Sequence, residues 1–228
     1  ESLALGACLV DGGYARKTIC ATVSHFSSAE KQYRYPLELG NQRPPVSQWT
    51  VTGTGCTILG RGDKGNYISM ATFGKVTDYG ISDANNMGAA MAPAAMETLV
   101  SHFKDTKRKP EDYDLIVTGD LGKLGSEILR DLMAHAGYPL KENYCDCGQM
   151  IYGRYQKTHQ GGSGAGCSAS VLNAFINRQI ERGKYKRVLF MATGALLSPL
   201  SSQQGETIPG IAHAVVIERG ENYVNDIS

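Results

Sequence analysis

The 228 residues are enough for one large domain or two smaller ones, each with a sizeable core. Lys+Arg 23 against Asp+Glu 22 is an even balance, which excludes the basic footprint of a nucleic-acid or anionic-lipid binder. The longest apolar run, 188–197, falls far short of the ~20 residues that span a bilayer, and no charged step into an apolar segment opens the chain, so neither a membrane span nor a secretory signal is read.

In chain order, ESLALGACLVDGG reads as a helix with Leu3, Ala7 and Val10 on one face, ended by Gly12-Gly13. RKTICATVS is a basic step into a β-prone run and predicts a buried strand; Cys8 and Cys20 fall on apolar positions and read as small core residues. RYPLELGNQRPP, with Pro36, Pro44 and Pro45, reads as an extended surface excursion, either a lid or an ordinary connection. Strands are predicted in QWTVTGTGCTIL and NYISMATFGKV. A helix follows in MGAAMAPAAMETLVSHF, with Met96, Leu99, Val100 and Phe103 in register and Pro93 near its first turn. YDLIVTGDLGKLGSEILRDLMAHAGYP gives a strand to Gly119, a turn at Asp120 and a helix with Leu124, Ile128, Leu132 and Met133 along one face. ASVLNAFINRQIERG gives a helix through Leu172, Phe175, Ile176 and Ile180 that stops at Gly183; KRVLFMATG and IAHAVVIER give the last strands. Strands alternating with helices imply an α/β architecture of layered sheets.

Two segments 170 residues apart match in kind: Asp11-Gly12-Gly13 falls on Glu181-Arg182-Gly183, and the strand from Thr18 falls on that from Val188. This is the pattern of a duplicated helix-plus-strand unit. The six cysteines, at 8, 20, 56, 145, 147 and 167, lack framework spacing and read as reduced thiols. No pair of histidines has i,i+4 ligand spacing, so His25, His102, His135 and His213 default to packing or surface roles and His159 to an exposed loop.

NYCDCGQMIY admits several readings. Cys-x-Cys alone offers too few ligands for zinc, with Cys167 and His159 as the only candidates to complete a set, and it closes too short a ring for an easy disulfide. A strand-edge turn with Asp146 capping a backbone amide, or a wall of a ligand pocket, are the others.

MGAAMAPAA, VTGDLGKLGSEILRDL, DCGQMIY, GGSGAGCSA and ATGALLSP together resemble the stage V sporulation protein AD family, a thiolase-like family associated with dipicolinic acid, and the match runs through essentially the whole chain. The resemblance implies a layered α/β/α/β/α fold with internal duplication. Residues 1–110 would be the remainder of a first half that lacks its N-terminal part, and residues 111–228 the second half. It implies that about a third of the protein precedes Glu1, including the position of a thiolase nucleophile. Of the other proton-transfer positions of thiolases and ketoacyl synthases, Ser163, Ala192 and Gly119-Asp120 stand in their place here, which favours a binding protein over an enzyme.

On this resemblance the ligand is dipicolinic acid, and Asp146, Cys147, Gly148, Asp120, Ser163 and Gly164 are the expected binding residues. Asp146 and Cys147 would line the cleft and face the glycine loop 161–166, which would present N–H groups to carboxylates at the start of a helix. No cofactor is expected beyond a calcium ion carried with the ligand, which would reconcile Asp146 with a dicarboxylate. Implied partners are other stage V sporulation membrane proteins and a second copy through the thiolase-type interface, with no nucleic acid. The implied location is the cytoplasmic face of a membrane in the mother cell or spore, peripheral to the spore inner membrane. Two other readings stand beside this one: an acyltransferase with its nucleophile upstream of residue 1, and an assembly component without ligand.

Overall fold

The computed structural model describes residues 1–29, 43–62 and 64–220, with Arg154 described in its backbone only. The excursion expected around Pro36 lies largely outside the described residues. The elements run α1 (Ser2–Asp11), β1 (Lys17–Ser24), α2 (Phe26–Ala29), β2 (Trp49–Thr50), β3 (Gly53–Gly60), β4 (Tyr67–Phe73), α3 (Met87–Thr106), β5 (Leu115–Thr118), α4 (Gly122–His135), β6 (Tyr144–Asp146), α5 (Cys147–Met150), β7 (Gly162–Ser163), α6 (Ala165–Val171), α7 (Asn177–Glu181), β8 (Arg187–Ala195), α8 (Pro199–Gln203) and β9 (Gly210–Glu218). A single π-helical turn, Leu172–Ile176, joins α6 to α7.

The central sheet has five strands in the order β4-β9-β8-β5-β6, parallel from β8 through β5 to β6 and antiparallel at β9 and β4. β5 and the first half of β8 are buried on both faces because both are covered, whereas edge strand β4 leaves Tyr67 and Phe73 exposed. Along β8, Leu189 and Met191 join one core with Leu99 and Phe103 of α3 and Leu129 and Met133 of α4. Val188 and Phe190 point the other way, into a second core with Ala4 of α1, Val171 and Ile176 of the π turn region and Ile180 of α7. Burying each of these large aliphatic side chains stabilises the fold by about 1.5–3 kcal/mol. β1 and β3 form an antiparallel ribbon against the far side of α1 and α6. The described residues therefore realise four successive layers of the expected arrangement: helix, sheet, helix, sheet. β4 and α3, which precede residue 110, pack with the sheet of the later residues.

The duplication is visible in backbone detail. α1 ends at Asp11 and α7 at Glu181; Gly13 and Gly183 then take positive φ, 77° and 76°. Gly13 N–H donates to the Val10 carbonyl and Gly183 N–H to that of Ile180, and the following strands open at Lys17 and Arg187. A residue with a side chain resists this left-handed conformation, so both copies stop their helix on glycine.

Three expectations change. β1 is not a buried strand: Thr18, Cys20 and Thr22 face α1 and α6, whereas Ile19 and Val23 are 72% and 70% exposed, beside Ile58 of β3 at 66%. The ribbon has helices on one face only among the described residues. Cys20 is buried but Cys8 is exposed, because α1 buries its Ala4–Val10 face and leaves Leu5, Cys8 and Leu9 outside. Phe175, expected on one face with Leu172, Ile176 and Ile180, is 42% exposed while those three are buried; α3 begins at Met87 as expected, where Asn86 caps it, accepting from Ala89 N–H.

Polar clusters fix the ends of the sheet. Glu218 of β9 accepts from Arg187 Nε at 3.0 Å, from Tyr67 and Ser69 at 3.1 Å, and pairs with Arg108. His102 of α3 is fully enclosed; its Nδ1 pairs with Thr72 of β4 at 2.7 Å and its Nε2 with the Tyr113 hydroxyl at 2.6 Å. Burial, with Arg108 nearby, lowers its pKa to about 4. A lowered folded-state value means that the unfolded chain binds the proton more readily. Stability is then fully present above the unfolded pKa near 6.5 and is lost as pH falls from there towards 4. We expect chemical denaturation to show a loss on the order of 3 kcal/mol across that window, and His102→Gln to flatten the slope there; an unchanged slope would contradict the assignment.

Candidate functional site

The described residues enclose a cavity of about 340 Å³ between the start of α1, the β1–β3 ribbon, the start of α6 and the β8–β9 pair. That volume suits a single-ring ligand. Its wall is mostly small: Gly55, Ala165, Ala169, Ala192, Thr22, Thr57 and Ser168, with Phe190, Leu172 and Val215 as the larger apolar groups. Asp120 and Glu1 are the acidic lining residues, and neither Lys nor Arg lines it among the described residues.

Asp120 organises this wall. It follows β5, and its Oδ2 accepts from Gly164 N–H at 2.8 Å while its Oδ1 accepts from the Thr193 hydroxyl at 2.9 Å. One carboxylate thus joins the end of β5, the loop before α6 and strand β8. Gly164 has φ 99°, and a side chain there would meet Ser24 Oγ at 3.0 Å. Its N–H serves Asp120, so the expectation that glycine-loop N–H groups wait for a ligand does not hold at this position. Gln48, a buried residue 72 positions from Asp120, donates from Nε2 to the Asp120 carbonyl at 2.7 Å and to that of Gly162 at 2.9 Å, clamping turn to loop.

The six expected binding residues divide into two groups. Asp120 and Gly164 line the cavity. Asp146 and Cys147, expected to line the cleft, are instead fully buried behind its wall, and Ser163 is also buried, with its carbonyl accepting from Val51 N–H. Gly148 packs on the glycine loop: a side chain there would come 2.4 Å from the Gly162 carbonyl oxygen. The physical reason for the burial is the carboxylate of Asp146. Its Oδ2 accepts from Thr118 Oγ1 at 2.6 Å and Leu121 N–H at 2.9 Å, and its Oδ1 from Gly122 N–H at 3.0 Å. These are orphan donors at the start of α4, and a carboxylate from the neighbouring edge strand satisfies them. The turn-and-cap reading of NYCDCGQMIY is the one this geometry matches.

Burial raises the Asp146 pKa to about 7; the Thr118 hydroxyl bond opposes this, the Asp120 charge adds to it and the two backbone donors oppose it. Burial likewise pushes Cys145 up to about 12 and raises Cys147 and Cys167 well above the usual thiol value, with the Asp146 charge adding in each case. Cys20, the cysteine on the cavity wall, is also raised, by burial. A nucleophilic cysteine needs the reverse shift, so these four are thiols at neutral pH. Of the residues that the resemblance sets at thiolase proton-transfer positions, Asp120 and Ala192 line the cavity, whereas Ser163 is buried and does not.

Sequence reading missed Gln48, Thr193 and His213, the last of which lines the cavity from β9. Their partners lie up to 139 residues away, at Gly74 for His213, so no local spacing announces them. One signal was present: the alternation of IAHAVVIER places His213 opposite the core-facing Ala212 and Ala214. For Asp146→Asn, the amide NH₂ would face one of three donors. We expect a loss of about 2 kcal/mol in denaturant unfolding, with Asp146→Ala costing at least as much; wild-type stability of the Asn variant would remove the capping role.

Comparison with known proteins places this geometry. Solved structures with the same fold include 3-oxoacyl-[acyl-carrier-protein] synthase III from Aquifex aeolicus (TM-score 0.56, 13% identity, covering 95% of this chain and 62% of that one) and its counterpart from Pseudomonas aeruginosa PAO1 (0.52, 12%, 96% and 63%). At such identity they establish a thiolase-like α/β fold and nothing about chemistry. Stage V sporulation protein AD from Bacillus subtilis (strain 168) is 49% identical over 219 residues, which are 96% of this chain and 65% of that protein, so the chain spans about two thirds of the relative's length. The Stage V sporulation protein AD (SpoVAD) family model matches residues 1–218, and the chain belongs to that sporulation family.

Proposed function

We propose that this protein binds dipicolinic acid, as its calcium chelate, in the cavity walled by Asp120, and serves its uptake into the developing spore. The family supports the ligand class, and the observation that carries the chelate is the charge of the wall. A dicarboxylate meets Asp120 with no lining Lys or Arg among the described residues to offset it. At about 5 Å and an effective dielectric near 20, each ligand charge repels Asp120 by about 3 kcal/mol. A calcium ion between them reverses the sign, and carboxylate oxygens are its ordinary ligands. Asp120, which lines the cavity, thereby takes the part that sequence reasoning gave to Asp146, which is fully buried and does not line it.

The same reading makes the protein a binder and not a catalyst, because Asp120 and Ala192 occupy positions where condensing chemistry needs proton-transfer groups. No helix of the described residues is long and apolar enough to cross a membrane. We place the protein peripherally at the spore inner membrane, delivering the ligand to membrane-embedded stage V partners, and pairing with a second copy through the thiolase-type interface.

Calorimetric titration of the full-length protein with dipicolinate is the test. Binding in calcium should exceed binding in a calcium chelator at least tenfold, and Asp120→Asn should abolish most of that difference while melting within a few degrees of wild type. Equal affinity with and without calcium would overturn the chelate. Repeated turnover of an acyl-coenzyme A thioester would overturn the binding reading itself.

A further inference from the structure

His213 stands on the cavity face of β9 beside Val215, and its ring is held from two sides. Gly74 N–H donates to His213 Nδ1 at 3.1 Å, and the Phe73 ring meets it edge-on at 5.7 Å between centroids. A backbone amide can only donate, so Nδ1 is the acceptor nitrogen, and in the neutral ring the hydrogen then sits on Nε2. The contact depends on the glycine: a Cβ at position 74 would lie 2.1 Å from the Ala212 carbonyl oxygen and 2.2 Å from Thr98 Oγ1. That same carbonyl accepts from Thr98 Oγ1 at 3.1 Å, which fixes β9 at this point. Tautomer and ring orientation are thus set by the scaffold before any ligand arrives. Burial keeps the ring's pKa below its usual value.

With neither Lys nor Arg lining the cavity among the described residues, a ligand carboxylate meets neutral donors there. The Gly164 N–H and the Thr193 hydroxyl are spent on Asp120 and the Thr57 hydroxyl on Asn173; beside the hydroxyls of Ser2, Thr22 and Ser168, His213 offers the ring N–H. Resting on the reading of this cavity as a dipicolinate site, we propose that His213 is a ligand-binding residue whose Nε2–H donates to a carboxylate oxygen of the bound chelate. Calcium then faces Asp120, and a carboxylate oxygen turned away from the ion faces the imidazole. The residue selects an acceptor, so a neutral amide or ester of the same ring loses both the calcium and a strong acceptor.

The test compares full-length wild type, His213→Phe and His213→Gln by calorimetry with dipicolinate in calcium, and follows the wild-type His213 ring nitrogens by NMR. Phenylalanine keeps the ring contact with Phe73 and removes the donor; glutamine keeps an N–H near the Nε2 position. The expected result is at least a tenfold loss for Phe, a loss within threefold for Gln, an Nε2–H tautomer in the free protein and a shifted Nε2 proton on binding. Wild-type affinity in the Phe variant, or an Nε2 signal unmoved at saturation, would overturn the assignment and leave the proposed function standing. If the Phe variant fails to fold, the NMR titration of wild type and the Gln variant decide in the same way. Absence of any binding by wild type would overturn the proposed function and this inference with it.

Discussion

The carboxylate of Asp146 is the constraint on which the site rests. Two backbone N–H groups and a hydroxyl converge on it from the β5–α4 turn, so the course of that turn is dictated from the neighbouring strand β6. Leu121 and Gly122, the two anchored amides, directly follow Asp120. Once they are fixed, the Asp120 side chain has one place to go, where it gathers the Gly164 amide and the Thr193 hydroxyl. Gln48 then closes the arrangement from behind. A buried charged group with all its donors satisfied resists deformation, because any shift leaves a desolvated partner unmade. The sporulation family's Asp-Cys-Gly step therefore acts on the cavity at one remove.

This division explains how much could be read in advance. Periodicity carried the elements: α3, α4 and the helix through Leu172 and Ile180 were found, although α4 turns Leu129 and Met133 to the core with Leu124, Ile128 and Leu132 only half-buried, and the repeat was found from Gly13 and Gly183, whose shared backbone conformation is a local property. The capping role of Asp146 was also legible as one reading of a strand-edge turn. What no spacing revealed was the set of contacts made across the chain, such as Gln48 to Gly162, 114 residues apart. Exposure of Cys8 and Ile19 was illegible for a related reason, since burial depends on which layers cover a face and not on the residues of that face alone. The π turn at Leu172–Ile176 belongs here too. Asn173 Nδ2 of that turn donates to the Ala169 carbonyl, and Gly55 of β3 packs directly on the same backbone, an accommodation between distant segments.

Fold and chemistry separate cleanly in this molecule. The layered scaffold is shared with condensing enzymes at 12–13% identity, yet the groups around the cavity are tuned away from nucleophilic chemistry. Thiols are raised rather than lowered, the imidazole is held neutral, and the acid at the centre of the wall is tied to a backbone amide and a hydroxyl. On the proposed reading of the cavity, each of these features serves recognition, where a fixed charge and a fixed donor matter more than a proton in motion.

The uncovered face of the β1–β3 ribbon has a consequence for how the chain comes to be folded. Among the described residues the ribbon has two strands, an arrangement marginal by itself in water, and β1 and β3 lean on the packing of α1 and α6 against them. Without that packing TICATV, residues 18–23, is a six-residue segment without charge or proline and rich in β-branched side chains, the composition that favours cross-β stacking between chains. Docking of the helix layer on the sheet is therefore in competition with self-association of this strand. Slowing that docking, by lower temperature or by a weakened contact between α1 and the sheet, moves material from the folding route to the aggregating one.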